Sequence, residues 1–526
     1  MSSEKISGQE KIEHGLKLLV KSSFIVFIGL FFSKLFYYFY RVIIARHFGP
    51  EIYGTFSLAI IILTIFMTFF SLGIPEGVLR FVSLYRGKNE FKKIKYIFRV
   101  SIKYLLILSI IASIILFFSS DFFSIQVFDD LALSSLLKIF AFIIPFLTFS
   151  YLFLYFLRAF EKIFWYSFIF NILQNFTKVI FLILLIFLGA GVNSLAFSYS
   201  AGIIFMFLFS FFVCAYYFSF IFKSGQPNMR IKHSIKKDFF AYSWPIMFFG
   251  IISSFLYWID SISLAYFRTS FEVGVYNAAF PLAALIGFIP EIFLQLFLPL
   301  ITKEFSRKNL NYIRELSKQI TKWIFIFNLP PFFILFLFSQ SVLTILFGSE
   351  YAVAGNALKI LTFGVFFSSI FFSAPKNLLS MAGKSKTLLF SLIFSAVINF
   401  FLNILLVPAY GINGAAIATT ISGILLGILF FTGSKYYLDI IPLRRKMFKI
   451  LIISIIPFSI MVLLIKIPSI PLSGDVLFIL FSILIYILLV LFTGCLDKND
   501  LQIIKTIFKK SKSILFFSKN NNISRK

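Results

Sequence analysis

Apolar stretches long enough to cross a membrane recur along the whole chain and are separated by short polar segments. A helix needs roughly 20 apolar residues to span the hydrocarbon core of a bilayer. The stretches lack the period-two alternation of a half-buried strand, and only helices or closed barrels satisfy their backbone groups in lipid. The pattern therefore predicts an all-α integral membrane protein with about 14 transmembrane helices. The predicted spans cover residues 22–45, 52–74, 97–119, 132–157, 164–188, 194–222, 239–266, 273–300, 320–341, 355–379, 386–407, 411–434, 447–467 and 473–494.

Two halves of the chain repeat the same short motifs in the same order. Ile74-Pro75-Glu76 returns as Ile289-Pro290-Glu291, and Gly191-Val192-Asn193 returns as Gly411-Ile412-Asn413. Each half holds six predicted spans, and an even number of spans makes both halves enter the membrane from the same side. We therefore predict two parallel six-helix lobes that are related by a pseudo-two-fold axis along the membrane normal, with two extra C-terminal helices.

The predicted domain boundaries follow from this repeat. The domains are an N-lobe at 1–222 with spans 1 to 6, a cytoplasmic linker at 223–238, a C-lobe at 239–437 with spans 7 to 12, spans 13 and 14 at 438–494, and a basic cytoplasmic tail at 495–526. The turn Gly225-Gln226-Pro227-Asn228 marks the linker. The tail could lie on the inner leaflet as an amphipathic basic segment, or it could be a solvated tail.

The charge distribution predicts the orientation. Only 13% of the 526 residues are charged, yet the net charge is +28. A basic chain of this kind would suit nucleic acid, but most Lys and Arg fall in segments on one side of the membrane. This asymmetry is typical of cytoplasmic loops. We therefore expect a multi-pass protein of the cell membrane with both termini in the cytoplasm, which attracts anionic lipids and binds no nucleic acid.

Span 1 carries two cations, Lys34 and Arg41, with Tyr37 between them. A separation of seven residues places both cations on one helix face, two turns apart. A charge near the bilayer centre costs about 3 kcal/mol or more, so it normally faces a wet cavity or a partner. We predict that Lys34, Tyr37 and Arg41 line a cationic substrate cavity and that loss of either cation abolishes transport. The alternative is a snorkelling Arg41 and a Lys34 that displaces lipid.

Span 5 carries Asn171, Gln174, Asn175 and Lys178, whose spacing places all four on one stripe of a regular helix. We predict that Asn171, Asn175 and Lys178 line the same cavity. Hydrogen bonding between helices is the alternative for the amides.

Three acids are candidates for a gate or for coupling to an ion. Asp260 in span 7 is the deepest acid, and the repeat places it opposite Arg41. Glu76 and Glu291 follow the repeated Ile-Pro motif at equivalent positions. Asp260 could pair with Arg41 when the lobes close on one side, or it could hold H⁺ or Na⁺. A purely structural ion pair is the alternative.

Three cations lie near predicted cytoplasmic span ends, namely Arg80, Arg158 and Lys376. They could receive an anionic head group from the inner leaflet, or they could simply follow the positive-inside rule.

Catalytic and metal-binding patterns are not evident in the sequence. It has no Walker motif and no nucleophile elbow, and the three histidines and two cysteines are scattered. We therefore expect no cofactor and no metal, and a protein that is not an enzyme. A membrane glycan polymerase is the less favoured alternative, because it would normally carry a sizeable hydrophilic domain or loop with paired acids.

Four motifs resemble, in order, those of polysaccharide-export flippases. They are RHFGPEIYGTFS at 46–57, VGVYNAA at 273–279, LFGSEY at 346–351 and PAYGINGAAIAT at 408–419. The chain thus resembles the multidrug/oligosaccharidyl-lipid/polysaccharide (MOP) exporter superfamily, in its branch of O-antigen and lipid-linked oligosaccharide flippases.

The resemblance implies a V-shaped pair of lobes around a cationic cavity and transport by alternating access. The implied cargo is a polyprenyl-(pyro)phosphate-linked oligosaccharide that moves from the cytoplasmic to the outer leaflet, for cell-surface polysaccharide or glycoprotein biosynthesis. We expect a monomer, which could associate with glycan polymerase or transferase machinery. A lipid II flippase and a multidrug exporter of the same superfamily are alternatives. A multidrug exporter carries organic cations and should have an acidic cavity, whereas the bases inside these spans outnumber the acids.

Overall fold

Helices account for nearly all of the described structure. The computed structural model describes residues 2–221, 229–291, 293–294, 301, 304–305, 309–465 and 472–495. The α-helices are α1 Ser2–Phe70, α2 Ile74–Gly87, α3 Phe91–Asp121, α4 Leu131–Ala159, α5 Ile163–Ser167, α6 Gln174–Phe187, α7 Asn193–Tyr217, α8 Met229–Phe267, α9 Ser270–Ala284, α10 Leu310–Leu337, α11 Ser339–Phe347, α12 Gly355–Phe371, α13 Ser373–Met381, α14 Ser385–Leu438, α15 Lys446–Ile465 and α16 Leu472–Phe492. Two π-helical segments, Phe122–Val127 and Phe168–Leu173, and three 3₁₀ segments, Ser219–Ile221, Leu285–Gly287 and Ser349–Ala354, connect them.

The predicted class of all-α integral membrane protein is confirmed. Among the described residues, ten helices are long and apolar enough to cross a membrane, and every predicted span overlaps a described helix. The two longest helices each contain two predicted spans. They bend at Gly49 (φ 79°) in α1 and at Gly411 (φ 54°) in α14. The pseudo-two-fold relation of the lobes stays a prediction.

The described chain divides into two compact units. The first unit comprises 1–284, 339–364 and 392–425, and the second comprises 285–338, 365–391 and 426–526. The predicted linker at 223–238 does not coincide with this division, and its residues 223–228 lie outside the described structure, as does the tail after Cys495. The two units are described separately below.

In the first unit, the second segment of α1 packs on α9, α4 packs between α3 and α7, and α6 packs on α7. The carboxylate of Asp130 accepts hydrogen bonds from three of these helices. Asp130 caps α4 by accepting from the backbone N–H of Ala132 at 3.1 Å, and it also accepts from the hydroxyls of Thr55 in α1 and Ser270 in α9. This junction holds the start of the second segment of α1 to the first turns of α4 and α9. The candidate site lies farther along α1, between α1, α6, α7 and α8.

In the second unit, a buried apolar cluster is formed by Ile301, Ile313, Leu378 and Ile440. The last two helices dock on α10, where Phe458 of α15 stacks on Phe333 at 4.6 Å and the Tyr486 hydroxyl of α16 donates to the carbonyl of Ile326 at 2.9 Å. Predicted spans 13 and 14 are therefore part of a packed unit.

Candidate functional site

Arg41 lies on the first segment of α1 and is 8% exposed. Its Nη1 donates to the backbone carbonyl of Asn277 at 2.8 Å and to the hydroxyl of Tyr53 at 2.9 Å. Its guanidinium carbon lies 4.6 Å from the ring centre of Tyr37. In the described part of the chain, Nε and Nη2 have no acceptor. The neighbouring side chains thus fix one nitrogen and leave a donor edge unused.

The Asn277 carbonyl reaches Arg41 because two glycines let α1 and α9 approach backbone to backbone. A Cβ on Gly274 would lie 1.8 Å from the carbonyl oxygen of Pro50, and a Cβ on Gly54 would lie 1.8 Å from that of Ser270. Any larger residue at either position would separate the two helices. The close crossing therefore determines where the carbonyl of α9 meets the cation of α1.

Predicted span 5 is an irregular helix. The π-helical segment Phe168–Leu173 separates α5 from α6. A π-turn contains an extra residue and shifts the phase of the side chains that follow it, and such turns are frequent at functional sites. The shift directs Asn175 and Lys178, one turn apart on α6, toward the helix face that carries Arg41.

Lys178 is buried, and its ammonium nitrogen lies 4.0 Å from the ring centre of Tyr199 on α7. Within the described residues, no carboxylate or hydrogen-bond acceptor contacts this nitrogen. An aromatic face compensates a desolvated cation by about 2 kcal/mol, which is less than the cost of burying the charge in the membrane. The described neighbours of Lys178 therefore include no acid that would balance a positive charge on its ammonium group.

A cavity of about 140 Å³ joins these side chains within the first unit. It is lined by Tyr37, Tyr40, Arg41, Tyr53, Phe56, Ser57, Ile60, Asn175, Lys178, Tyr199 and Trp258. Two of the lining residues are cations and none is an acid. The cavity wall otherwise consists of hydroxyls, one amide and aromatic rings, so it suits a small anion better than a cation.

Asp260 lies on α8 and is 4% exposed. Its Oδ2 accepts from the hydroxyl of Tyr276 at 2.5 Å and from that of Thr419, and its Oδ1 accepts from Nδ2 of Asn403 at 2.9 Å. All three donors are neutral. Oδ1 of Asn403 is buried and has no hydrogen-bond partner. The carboxylate is thus fully hydrogen-bonded without any counter-charge among the described residues.

The structure brings together only part of the predicted cavity. Arg41, Tyr37, Asn175 and Lys178 line it. Lys34 is exposed and is not among the lining residues. Asn171 is buried and donates to the hydroxyl of Ser167 at 3.1 Å instead, because the π-turn breaks the single stripe that a regular helix would give.

The predicted pairing of Arg41 with Asp260 is not formed in this structure. Both side chains are described, and each is satisfied by neutral partners. Arg41 is instead anchored on the backbone of α9, whose Tyr276 side chain holds Asp260. The two charges therefore share a helix without contacting each other.

The remaining predicted residues lie away from the cavity lining. Glu76 is half-buried in the first turn of α2, and Glu291 is exposed. Arg80, Arg158 and Lys376 are exposed, and each stacks over an aromatic ring. Their cationic atoms lie 4.0 Å from the ring centre of Tyr242, 5.6 Å from that of Tyr166 and 5.2 Å from that of Phe372, respectively.

Seven of the eleven lining residues were not singled out as site residues from the sequence, among them the aromatic residues Tyr53, Tyr199 and Trp258. Aromatic residues make up 20% of the chain, so an individual tyrosine or tryptophan carries little signal. The spacing of Tyr53, twelve residues after Arg41 and beyond the bend at Gly49, could only have been used if the bend had been recognised.

Comparison with known proteins shows the family of this chain. The family model described as "Polysaccharide biosynthesis protein" matches residues 19–303, more than half of the chain. The chain belongs to the polysaccharide biosynthesis protein family. A second model, MatE, matches residues 245–405. These matches confirm the resemblance to the polysaccharide flippase branch of the MOP superfamily.

Two relatives and one solved structure illustrate the likeness. The "Putative O-antigen transporter" of Shigella flexneri is 26% identical over 403 residues, which cover 73% of this chain and 90% of the relative. The "Probable low-salt glycan biosynthesis flippase Agl15" of Haloferax volcanii is 28% identical over 203 residues, which cover 37% of this chain and 42% of the relative. The structure of "Lipid II flippase MurJ, inward closed conformation" has a TM-score of 0.71 at 19% identity and covers 88% of this chain and 97% of that one, which shows a common fold.

Proposed function

We propose that this family member is a flippase that moves a polyprenyl-(pyro)phosphate-linked oligosaccharide from the cytoplasmic to the outer leaflet by alternating access. The observation that carries the proposal is the cavity in which Arg41 and Lys178 meet without an acid. The names of the O-antigen transporter and the glycan flippase support the same class of cargo. No step in this process requires the protein to make or break a bond of the cargo, so we propose a transporter and not an enzyme.

The size of the cavity determines which part of such a cargo it would bind. A cavity of about 140 Å³ with two basic residues and no acid in its lining suits a compact anion such as a phosphate or pyrophosphate group. The free donor edge of Arg41 provides the forked geometry that phosphate oxygens accept. Lys178 adds a second basic group. Asn175 would add an amide donor by exchanging its bond to the Ser33 hydroxyl at 3.3 Å for one to the anion, while it keeps its bond to the Asn171 carbonyl at 3.0 Å. We infer that the anionic linkage is held here while the glycan and lipid tail lie elsewhere.

Asp260 is proposed as the coupling residue, with H⁺ or Na⁺ as the coupling ion. A buried carboxylate without a counter-charge gains stabilisation from any small cation that reaches it. The unpartnered Oδ1 of Asn403 supplies a further oxygen beside it, and oxygen ligands suit hard cations. Glu76 and Glu291 are retained as candidate gate residues at the ends of their spans.

The exposed cations Arg80, Arg158 and Lys376 are proposed to receive the anionic head group at the cytoplasmic face. Each Lys or Arg close to an anionic leaflet contributes about 1 kcal/mol of attraction to the lipid head groups. This proposal places the protein in the cell membrane with both termini in the cytoplasm, in contact with anionic lipids. An association with glycan polymerase or transferase machinery would supply the next step for the cargo.

Reconstitution tests the function directly. Proteoliposomes that contain a defined lipid-linked glycan should show glycan on the opposite leaflet, measured by its accessibility to a membrane-impermeant lectin. The Arg41→Ala variant, reconstituted at the same density, is the control. Complementation of flippase-deficient strains with defined glycans would then identify the cargo. Equal rates in wild-type, Arg41→Ala and protein-free vesicles would refute the proposal.

The MatE match over residues 245–405 supports multidrug export as a second candidate. A cavity with two cations and no acid makes an organic cation an unfavourable cargo. The same vesicles, loaded with a fluorescent organic cation, separate the two functions. A lipid II flippase is distinguished by offering lipid II as the cargo in the same vesicles, with a membrane-impermeant probe for its peptide in place of the lectin.

A further inference from the structure

Two consecutive residues of α9 bind two consecutive residues of α8. The Tyr276 hydroxyl donates to Oδ2 of Asp260 at 2.5 Å, and Nδ2 of Asn277 donates to the hydroxyl of Ser261 at 3.0 Å. All four side chains are at most 4% exposed. Side chains buried to this degree cannot exchange a protein partner for bulk water. If one side chain changes its hydrogen bonds, its partners must therefore rearrange theirs.

The same stretch of α9 also anchors Arg41. The Asn277 carbonyl accepts from Nη1 of Arg41 at 2.8 Å and from the Tyr53 hydroxyl at 3.2 Å. Its amide group meanwhile bonds to Ser261 and to the carbonyl of Val273. Asn277 is therefore the point where hydrogen bonds from the cationic cavity and from the α8 contact converge.

We propose that Tyr276 and Asn277 form a relay that makes the position of Arg41 depend on whether Asp260 holds a coupling ion. The inference rests on the proposed function, because it takes Asp260 as the coupling residue and Arg41 as a cargo-binding residue. In this relay Tyr276 and Asn277 are positioning residues: Tyr276 contacts the carboxylate, and Asn277 contacts the cation.

The chemistry of Asp260 gives the relay a direction. Oδ2 uses its two in-plane lone pairs to accept from Tyr276 and Thr419. A proton on Oδ2 takes one of these lone pairs, so one of the two hydroxyls must turn its hydrogen away, and the relay takes this hydroxyl to be that of Tyr276. A bound Na⁺ occupies the oxygen lone pairs and has the same consequence. The titratable neighbours are Tyr276 from α9 and Tyr257 from α8, while α14 contributes only the neutral Asn403 and Thr419.

Loss of the Tyr276 bond removes one of the two adjacent bonds between α8 and α9. The Asn277 carbonyl can then move with α9, and Nη1 of Arg41 loses one of its two acceptors and keeps the Tyr53 hydroxyl. A guanidinium held only by Tyr53 can turn its unused Nε–Nη2 edge toward a bidentate anion. Ion occupancy of Asp260 should therefore raise the affinity of the cavity for pyrophosphate.

The test compares two buried tyrosines that each donate one hydrogen bond within the first unit. Tyr276→Phe removes the hydroxyl and keeps the ring, which stacks on Phe280 at 6.0 Å. Tyr351→Phe is the matched control, since the Tyr351 hydroxyl donates to the carbonyl of Ala45 at 3.3 Å. Both variants are made in the full chain in a background with Trp258 as its single tryptophan, because Trp258 lines the cavity.

The first readout is Trp258 fluorescence during titration with H⁺ and with Na⁺, without cargo. We expect a change in wild type and in Tyr351→Phe, and at least a fivefold smaller one in Tyr276→Phe. The second readout is inorganic pyrophosphate binding. Its affinity should rise about tenfold with ion occupancy in wild type and less than about twofold in Tyr276→Phe.

Two results would overturn the relay. One is a Trp258 signal that neither ion alters in the wild-type protein, and the other is an unchanged ion response in Tyr276→Phe. Neither result depends on glycan transport, which the proteoliposome assay measures separately. Failure of that assay with an intact, Tyr276-dependent Trp258 response would refute the proposed cargo and support the relay.

Discussion

Arg41 and Asp260 are buried charges of opposite sign, yet their surroundings differ. Arg41 borders a cavity and uses one nitrogen on protein acceptors. Asp260 has both oxygens engaged by three neutral donors. A pair of charges meant for stability would neutralise each other. Under the proposed function, each charge is kept for a ligand outside the chain, an anion at Arg41 and a cation at Asp260.

The largest expected effect is on the cationic side of this comparison. Arg41→Ala should reduce transport of a lipid-linked glycan about 100-fold or more. The substitution removes the two charge-assisted hydrogen bonds that the guanidinium is proposed to donate to the cargo phosphate, each of roughly 1.5–3 kcal/mol. The rate is measured in proteoliposomes at matched protein density. Arg41→Lys should rescue only part of the loss, since Lys lacks the planar fork.

Lys34→Ala is the informative companion to Arg41→Ala. The sequence pattern alone predicts that both substitutions abolish transport, whereas the exposed position of Lys34 predicts a smaller loss. Equal losses would mean that Lys34 enters the site in another conformation. Normal transport by the double variant would eliminate the cationic cavity as the cargo site.

Substitution of Asp260 should affect transport differently from substitution of Arg41. Asp260→Asn keeps the shape of the side chain but removes its charge, so pyrophosphate affinity should not fall below that of the wild-type protein, while the transport rate falls about tenfold and loses its dependence on H⁺ or Na⁺. Pyrophosphate binding and transport are measured on the same preparation. Because the carboxylate has no counter-charge, the substitution should not lower the unfolding temperature. A parallel loss of binding, rate and thermal stability would indicate a structural role.

Much of the fold was predictable because its signals are long. Apolar stretches locate the spans, and span length requires no knowledge of tertiary contacts. The bends at Gly49 and Gly411 fall where the predicted spans 1 and 2, and 11 and 12, adjoin, because the backbone leaves helical geometry at each glycine. In the site, Arg41 and Lys178 stand out because charges in spans are rare. The π-turn is invisible in the sequence, and for that reason Asn171 was placed on the same stripe as Asn175.

Substitution of Lys178 tests whether this buried basic side chain serves cargo binding at a cost in stability. Lys178→Met should lower transport about tenfold and raise the unfolding temperature by about 2 °C or more, because a buried cation with no acceptor is replaced by an apolar side chain. Lys138→Met is the control. Lys138 pairs with Asp121 at 2.9 Å and is 38% exposed, so its loss should cost about 1 kcal/mol or less in stability. An unfolding temperature of Lys178→Met below that of the wild-type protein would contradict the claim that the charge of Lys178 is uncompensated.

The smallest expected effect separates two amides of the same predicted span. Asn175 lines the cavity and donates to the hydroxyl of Ser33 at 3.3 Å, whereas Asn171 donates to Ser167 on its own helix. Asn175→Ala should weaken pyrophosphate binding about threefold to tenfold, the value of one hydrogen bond. Asn171→Ala should change it by less than about twofold, although it removes an equally polar group from the same helix. Calorimetric titration of both variants decides whether the π-turn, and not the spacing in the sequence, determines which residues of this helix contact the anion.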